Sequence, residues 1–127
     1  MILGDRVDKI KAEVKDRSKY KGITIHMKVD DVIDKDGDLL EIKYTTTFDY
    51  TQDSALMEIS GTIVAKEDSK EKKRLLKEWK NKKQLPLDYL EKLLNVINFV
   101  DSAHGTIVAR ILNIRPPIKA MKLTLKK

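Results

Sequence analysis

Apolar and polar residues alternate strictly from Gly22 onward, and this alternation indicates three successive β-strands. In residues 23–30 every second side chain is apolar, which places the apolar ones on one face of a strand. The same period runs from Leu40 to Tyr50 and from Ala55 to about Ala65. Short Asp-rich or polar turns separate the three segments, so neighbouring strands should be antiparallel. The pattern predicts a meander with one apolar face and one polar face.

The period changes at Asp68, where two helices are predicted to follow the strands. Asp68 and Glu71 have the spacing of a capping box, and the helix that they start should end near Lys83. Residues 87–100 then carry apolar side chains three and four positions apart, typical of an amphipathic helix that packs on a sheet, with Pro86 at its first turn. We expect Asp101 or Ser102 to cap a third helical segment, although residues 106–108 fit a strand equally well. Pro116-Pro117 ends any helix there.

The two ends of the chain are less distinct. In the first twenty residues Val7, Ile10 and Val14 fit one helical face, whereas Ile10, Ala12 and Val14 fit an alternating strand. The C-terminal segment alternates weakly over residues 122–126. Because strands precede helices, the order predicts an α+β fold with the helices on one face of the sheet.

Length and composition restrict the class of protein. With 127 residues the chain is predicted to form one domain, residues 1–127. It has no cysteine, which excludes disulfides, thiolate nucleophiles and Cys-ligated metals and fits a reducing cytoplasm. No apolar run approaches the roughly 20 residues of a membrane span, so we expect a soluble cytoplasmic protein. The formal net charge of +6 is concentrated in residues 66–83 and the C-terminal tail.

The candidate metal and acid–base residues point to no reaction. Aspartates at positions 34, 36 and 38 resemble the opening of a calcium loop, but Gly37 lies too early for the loop glycine and Thr45 stands where a bidentate Glu is needed. A solvated hairpin turn is therefore favoured. His26 and His104 belong to no spaced ligand motif, and His104-Gly105 fits a helix end. Nucleophile elbows and phosphate-binding glycine loops are missing, so we expect no catalytic residue, cofactor or metal.

The first predicted helix carries both a basic surface and the single tryptophan. Its basic side chains are able to meet phosphates, although Glu71 and Glu78 are interleaved with them and favour a solvated helix face. Trp79 fits either packing against the next helix or a groove, and the strand aromatics fit either core or groove floor. The candidate basic residues are Lys72, Lys73, Arg74, Lys77 and Lys80. The candidate groove residues are Tyr44, Phe48, Tyr50, Trp79 and Leu85.

Four segments resemble the SecB-like chaperone family, including its small archaeal members. They are Ile59-Ser60-Gly61-Thr62-Ile63, Leu93-Leu94-Asn95-Val96-Ile97, Val108-Ala109-Arg110-Ile111-Leu112 and Pro116-Pro117-Ile118. The resemblance spans residues 10–118 and makes Ile10, Ala12 and Val14 part of a first strand. It implies a four-stranded antiparallel meander with two or three C-terminal helices, and a dimer or dimer of dimers. The chain differs from bacterial SecB in being basic and in having a lysine-rich tail instead of an acidic extension.

Three functional hypotheses follow from these patterns. The resemblance implies an ATP-independent, non-catalytic chaperone-like protein that binds unfolded or partly folded polypeptides and copies of itself. The alternative is a nucleic-acid-associated protein that uses helix 70–83 and the C-terminal lysines. A small enzyme is the third, and it requires a deep pocket in which His26 or His104 faces a carboxylate.

Overall fold

The computed structural model describes residues 1–17 and 22–117, in which four strands are followed by two helices. This confirms the predicted α+β class, with two C-terminal helices. The alternation predicted at residues 122–126 lies outside the described residues. Within the described part neither helix is long and apolar enough to cross a membrane. The elements are β1 (Ile2–Val14), β2 (Ile23–Asp34), β3 (Leu39–Tyr50), a 3₁₀ turn (Thr51–Asp53), β4 (Ala55–Lys66), α1 (Ser69–Lys82) and α2 (Leu87–Leu112).

The four strands form one antiparallel sheet in the order β1-β4-β3-β2. The hairpin-connected strands β2, β3 and β4 are neighbours in chain order, as the alternation predicts. The four-stranded meander is nevertheless wrong, because β1 pairs with β4 and not with β2. This is a Greek-key arrangement, in which β1 and β2 occupy opposite edges of the sheet.

Register shifts in β1 explain why its sequence pattern is ambiguous. Its pairing with β4 is irregular between Ile2 and Gly4 and again between Val7 and Lys9. An extra residue at each place moves the following side chains to the other face, so no constant period of two runs through the strand. The structure selects the strand interpretation for residues 10–14 and extends it back to Ile2.

The core lies between one face of the sheet and α2. Even-numbered residues of β3 and odd-numbered residues of β4 point inward and are buried. Near the hairpin that joins β2 and β3, Ile42 and Tyr44 pack in one cluster with Leu93 of α2. At the other end, Phe48 packs in a second cluster with Ala109. Both clusters lie on the same sheet face.

Helix α1 begins at the predicted residue. The Asp68 carboxylate accepts a hydrogen bond from the Glu71 backbone N–H at 2.8 Å, and the left-handed residue Lys83 (φ 52°) ends the helix. The reciprocal half of the predicted capping box does not form, because the Glu71 carboxylate accepts hydrogen bonds from Arg74 instead. Leu75 anchors the helix in the first core cluster.

Helix α2 is a single helix of 26 residues, which corrects the expectation of a third segment or a strand at residues 106–108. Asp101 and Ser102 are typical capping residues, but here they are buried in the middle of the helix. Gly105 does not end the helix either. A Cβ atom there would lie 2.8 Å from Pro117 Cγ and 3.2 Å from Phe48 Cε2, so a small residue is required for close packing.

Candidate functional site

An apolar groove runs between the edge strand β2 and the helices. It consists of two adjoining clefts of about 300 and 180 Å³, and Met27 and Leu94 line both of them. We call it the edge groove. Its lining residues are Ile25, Met27, Lys28 and Val29 of β2; Trp79 of α1; Lys83, Gln84 and Leu85 of the connection; and Leu90, Leu94 and Asn98 of α2.

The position of β2 in the sheet creates this groove. Inward-facing side chains of β3 have a strand on each side, whereas those of β2 have a neighbouring strand on one side only. Ile25 is therefore 39% exposed, although its partner Phe48 in the β2–β3 pairing is only 1% exposed. From Ile25 to Val29 the strand extends about 13 Å, enough to lie beside a short extended segment. The edge groove is thus an accessible continuation of the core.

Two of the predicted groove residues lie at one end of the edge groove. Trp79 is partly buried against the first core cluster and Leu85 is almost completely buried. Trp79 thus packs on the core, and it also lines the cleft. The Lys83 ammonium lies 6.0 Å from the centre of the Trp79 ring, near the outer limit of a cation–π contact.

The three predicted strand aromatics belong to the core and not to the groove lining. Tyr44, Phe48 and Tyr50 are each 1% exposed, because β3 is a central strand covered by α2. The Tyr50 hydroxyl donates to the Arg115 carbonyl oxygen at 2.5 Å, which fixes the segment after α2. Burial, followed by the negative charge of Asp101, raises the pKa of the Tyr44 phenol. Of the alternatives for these residues, core and groove floor, the structure selects core.

Sequence patterns miss most of the groove lining because they identify an apolar face and not its exposure. Met27 and Val29 belong to the predicted apolar face of their strand, and Leu90 and Leu94 to that of their helix. The partial exposure of these side chains follows from the position of β2 at the edge of the sheet, which the sequence pattern does not give. No sequence pattern predicts Asn98 as a lining residue.

The predicted basic surface on α1 is partly occupied by internal ion pairs. Lys72 is 13% exposed, lies 2.6 Å from Asp34 and donates to the carbonyl oxygens of residues 35 and 37. Arg74 pairs with Glu71 and Asp88, which together raise the pKa of its guanidinium. Lys73, Lys77 and Lys80 remain exposed. Nothing in the structure or in the comparisons below supports the nucleic-acid hypothesis.

The two histidines differ in their surroundings. His26 is exposed on the outer face of the sheet. His104 Nδ1 lies 3.1 Å from Asp101 Oδ1, so a histidine does face a carboxylate, as the enzyme hypothesis requires. Neither residue lines a cleft of the edge groove. No group of three or more His, Asp or Glu side chains in residues 1–17 and 22–117 is arranged to hold a metal ion.

Asp101 is a buried carboxylate in the middle of the core. Its side chain has no exposed surface, and neither its Oδ2 atom nor Thr46 Oγ1 has a hydrogen-bond partner among the described residues. Burial raises the pKa of Asp101, and the contact with His104 only partly opposes this. The nearby Thr46 hydroxyl also lowers this pKa, although its contact with Asp101 does not have the geometry of a hydrogen bond, and the negative charge of Asp5 raises it. The ionised carboxylate therefore opposes folding.

We expect Asp101→Asn to raise the free energy of unfolding at pH 7 by about 1–2 kcal/mol, because it removes a buried charge and provides an N–H donor toward Thr46. The folded-state pKa of Asp101 lies above its unfolded value, so the cost of ionisation is absent below the unfolded pKa and appears as the pH rises. The gain should therefore shrink as the pH falls toward 4. Chemical denaturation across this pH range measures it.

Asp8→Asn is the matched control with the opposite sign. A hydrogen bond from Thr62 lowers the pKa of the Asp8 carboxyl, with Arg6 adding to the effect. Ionised Asp8 therefore contributes stability above its unfolded pKa and loses it as the pH falls. Asp8→Asn should lower the free energy of unfolding at pH 7. Equal responses of the two variants to pH would contradict the burial argument.

Comparison with known proteins shows a similarity of fold over nearly the whole chain. No protein-family model matches the sequence, and no curated protein matches it significantly. Among solved structures, the SecB-like chaperone Rv1957 of Mycobacterium tuberculosis, in complex with a ChAD peptide from the Rv1956 HigA1 antitoxin, is similar with a TM-score of 0.66. The match covers 98% of this chain and 87% of that one, at 11% sequence identity. At this identity the similarity concerns the fold, and the chain has a SecB-like fold.

Proposed function

We propose that this protein binds unfolded or partly folded polypeptides in the edge groove, without ATP, cofactor or catalysis. The observation that carries the proposal is a pair of adjoining clefts, with seven apolar side chains in their lining, beside an edge strand. The fold supports it, because a SecB-like chaperone with a similar fold has been solved in complex with a peptide. Non-native segments expose apolar side chains that native proteins bury, and such side chains fit this lining.

The chemistry of the lining favours binding without strict sequence recognition. Seven lining side chains are apolar, and methionine and leucine adapt their rotamers to different partners. No strand pairs with the outer edge of β2 among the described residues. An extended segment is able to hydrogen-bond to this edge while its side chains enter the groove, as in β-strand addition. Backbone bonds of this kind are independent of sequence, as required of a general binder.

Suppression of client aggregation, followed by light scattering, tests the proposal. The parent protein should suppress aggregation of a denatured client at stoichiometric excess. The double variant Met27→Thr/Leu90→Gln should bind the client about tenfold more weakly, because it replaces apolar groups of the lining by polar ones and each buried carbon group contributes about 0.8 kcal/mol. Titration monitored by Trp79, the only tryptophan, gives the affinity directly.

Leu39→Gln is the control for this experiment. Leu39 is an exposed apolar residue at the start of β3, and it does not line the edge groove. The control variant should suppress aggregation as well as the parent, and unchanged thermal unfolding would show that all variants are folded. The proposal fails if the folded parent leaves client aggregation unchanged.

Self-association is the second part of the proposal. Phe99, Ala103, Ile107 and Ile111 repeat every four residues along α2 and therefore lie on one side of it. Phe99, Ile107 and Ile111 are 69%, 60% and 77% exposed. We call these four residues the α2 stripe. A continuous apolar stripe on a surface helix is typical of a contact between protein chains, and two copies related by a twofold axis bury the same stripe together.

A further inference from the structure

Electrostatic asymmetry distinguishes the two ends of the edge groove. The end formed by Trp79 and Leu85 includes Lys83, whereas the end formed by Ile25 and Asn98 has no charged residue in its lining. Neither cleft has an Asp or Glu side chain in its lining. The edge groove is therefore mainly apolar at the Ile25 end, and it is mixed polar and apolar, with a positive charge, at the Trp79 end.

The residue that carries the charge at this end has a fixed backbone position. Lys83 is the C-cap of α1 in the left-handed conformation, and its N–H donates to the Trp79 carbonyl oxygen at 2.9 Å. This bond fixes the backbone of Lys83 one helical turn from Trp79. The Lys83 side chain is exposed and extends over the indole ring. The backbone thus places Lys83 at the rim of the cleft, within reach of which its flexible side chain carries the ammonium group.

Lys28 contributes less to this asymmetry. Its side chain is 76% exposed, and its ammonium lies 3.5 Å from Asp30 Oδ1, so part of its charge is compensated. Lys83 has no comparable carboxylate contact among the described residues. The Lys82 side chain on the same turn pairs with Glu78 at 3.3 Å. Lys83 is therefore the main positive group available to a bound segment.

We infer that the edge groove selects extended polypeptide segments in which apolar side chains adjoin a carboxylate, and that Lys83 binds this carboxylate. The inference rests on the proposed function and specifies its substrate class. An apolar segment flanked by Asp or Glu buries its apolar side chains against β2 and α2 and places its charge at Lys83. A segment flanked by lysine places like charges together at the same end.

Three labelled peptides of equal length test the inference by fluorescence anisotropy. They share an apolar core of alternating leucine and threonine and carry Glu, Gln or Lys at both ends. The Glu-flanked peptide should bind about fivefold more tightly than the Gln-flanked one at low salt, the scale of one exposed ion pair. The Lys-flanked peptide should bind most weakly. The differences should largely disappear at about 0.5 M NaCl, where exposed charges are screened.

Variants of α1 identify the group responsible. Lys83→Glu should reverse the order of the three peptides. Lys73→Glu changes the net charge equally on an exposed position of the same helix, about three turns away, and should keep the parental order. If the peptides bind with equal affinity, or the Lys-flanked one binds best, the inference is wrong while the proposed function stands. If none of the three binds, the proposed function fails as well.

Discussion

Replacing Gly61 with alanine is expected to lower the free energy of unfolding by about 3 kcal/mol. Gly61 lies in β4 between Val7 of β1 and Tyr44 of β3. A Cβ atom at position 61 would be 2.5 Å from Tyr44 Oη and 2.6 Å from the Arg6 carbonyl oxygen, closer than real Cβ contacts. The Tyr44 ring is fully buried and the carbonyl group belongs to the backbone, so neither is able to move away cheaply.

Chemical denaturation measures this loss, and Gly4→Ala is the matched control. Gly4 also lies in a strand that pairs with β4, but a Cβ atom there has no neighbour within 4 Å. Gly4→Ala should therefore change the free energy of unfolding by less than about 0.5 kcal/mol. Equal unfolding midpoints for Gly61→Ala and the parent would show that Tyr44 does not pack over the strand as described.

The Gly61 site illustrates which parts of the fold are predictable from the sequence. The strict alternation of β3 and β4 places Tyr44 and Gly61 on the same inner face, because that period is local to each strand. The third neighbour, β1, comes from the other end of the chain, and its register shifts interrupt the alternation. The sequence pattern therefore predicts three strands and their faces, but not the strand that closes against Gly61.

In helix α2 the local preferences of single residues predict helix ends that the structure does not contain. Asp101, Ser102 and Gly105 favour helix ends because of their capping chemistry and their backbone freedom. In the structure the packing of α2 on both core clusters overrides these preferences. This packing leaves polar atoms unsatisfied, because the side chains of Asp101 and Ser102 each have a buried oxygen without a hydrogen-bond partner among the described residues.

The edge groove was only partly predictable for a related reason. Trp79 and Leu85 stand out because they are apolar in an otherwise polar segment, and both lie in the lining. The strand aromatics stand out equally by size, yet they fill the core because β3 is central. Exposure depends on strand order, and strand order depends on contacts between distant segments that no local period encodes.

The double variant Ile107→Glu/Ile111→Glu is expected to raise the dissociation constant of self-association at least about 100-fold. A twofold axis would bring the four introduced carboxylates of two α2 stripes together in an apolar contact. Like charges placed there repel each other and lose hydration. Both side chains are more than half exposed in the protomer, so the fold should not change. Sedimentation equilibrium over a range of protein concentrations measures the dissociation constant.

The control for this experiment is Leu3→Glu/Leu39→Glu, which places two carboxylates at exposed apolar positions outside the α2 stripe. It should leave the mass in solution unchanged. A parent protein that remains monomeric at high concentration, or a stripe variant with the parental mass, would refute self-association through α2.

The stripe variant also separates assembly from client binding. The edge groove uses Leu90, Leu94 and Asn98, which lie on another side of α2 from Ile107 and Ile111. Dissociated protomers should therefore bind a short peptide with the parental affinity, because each edge groove is complete within one chain. A long unfolded client is able to occupy two edge grooves of an assembly at once, and this gain in effective concentration should be lost on dissociation. Unchanged peptide binding with weaker suppression of client aggregation is the expected combination.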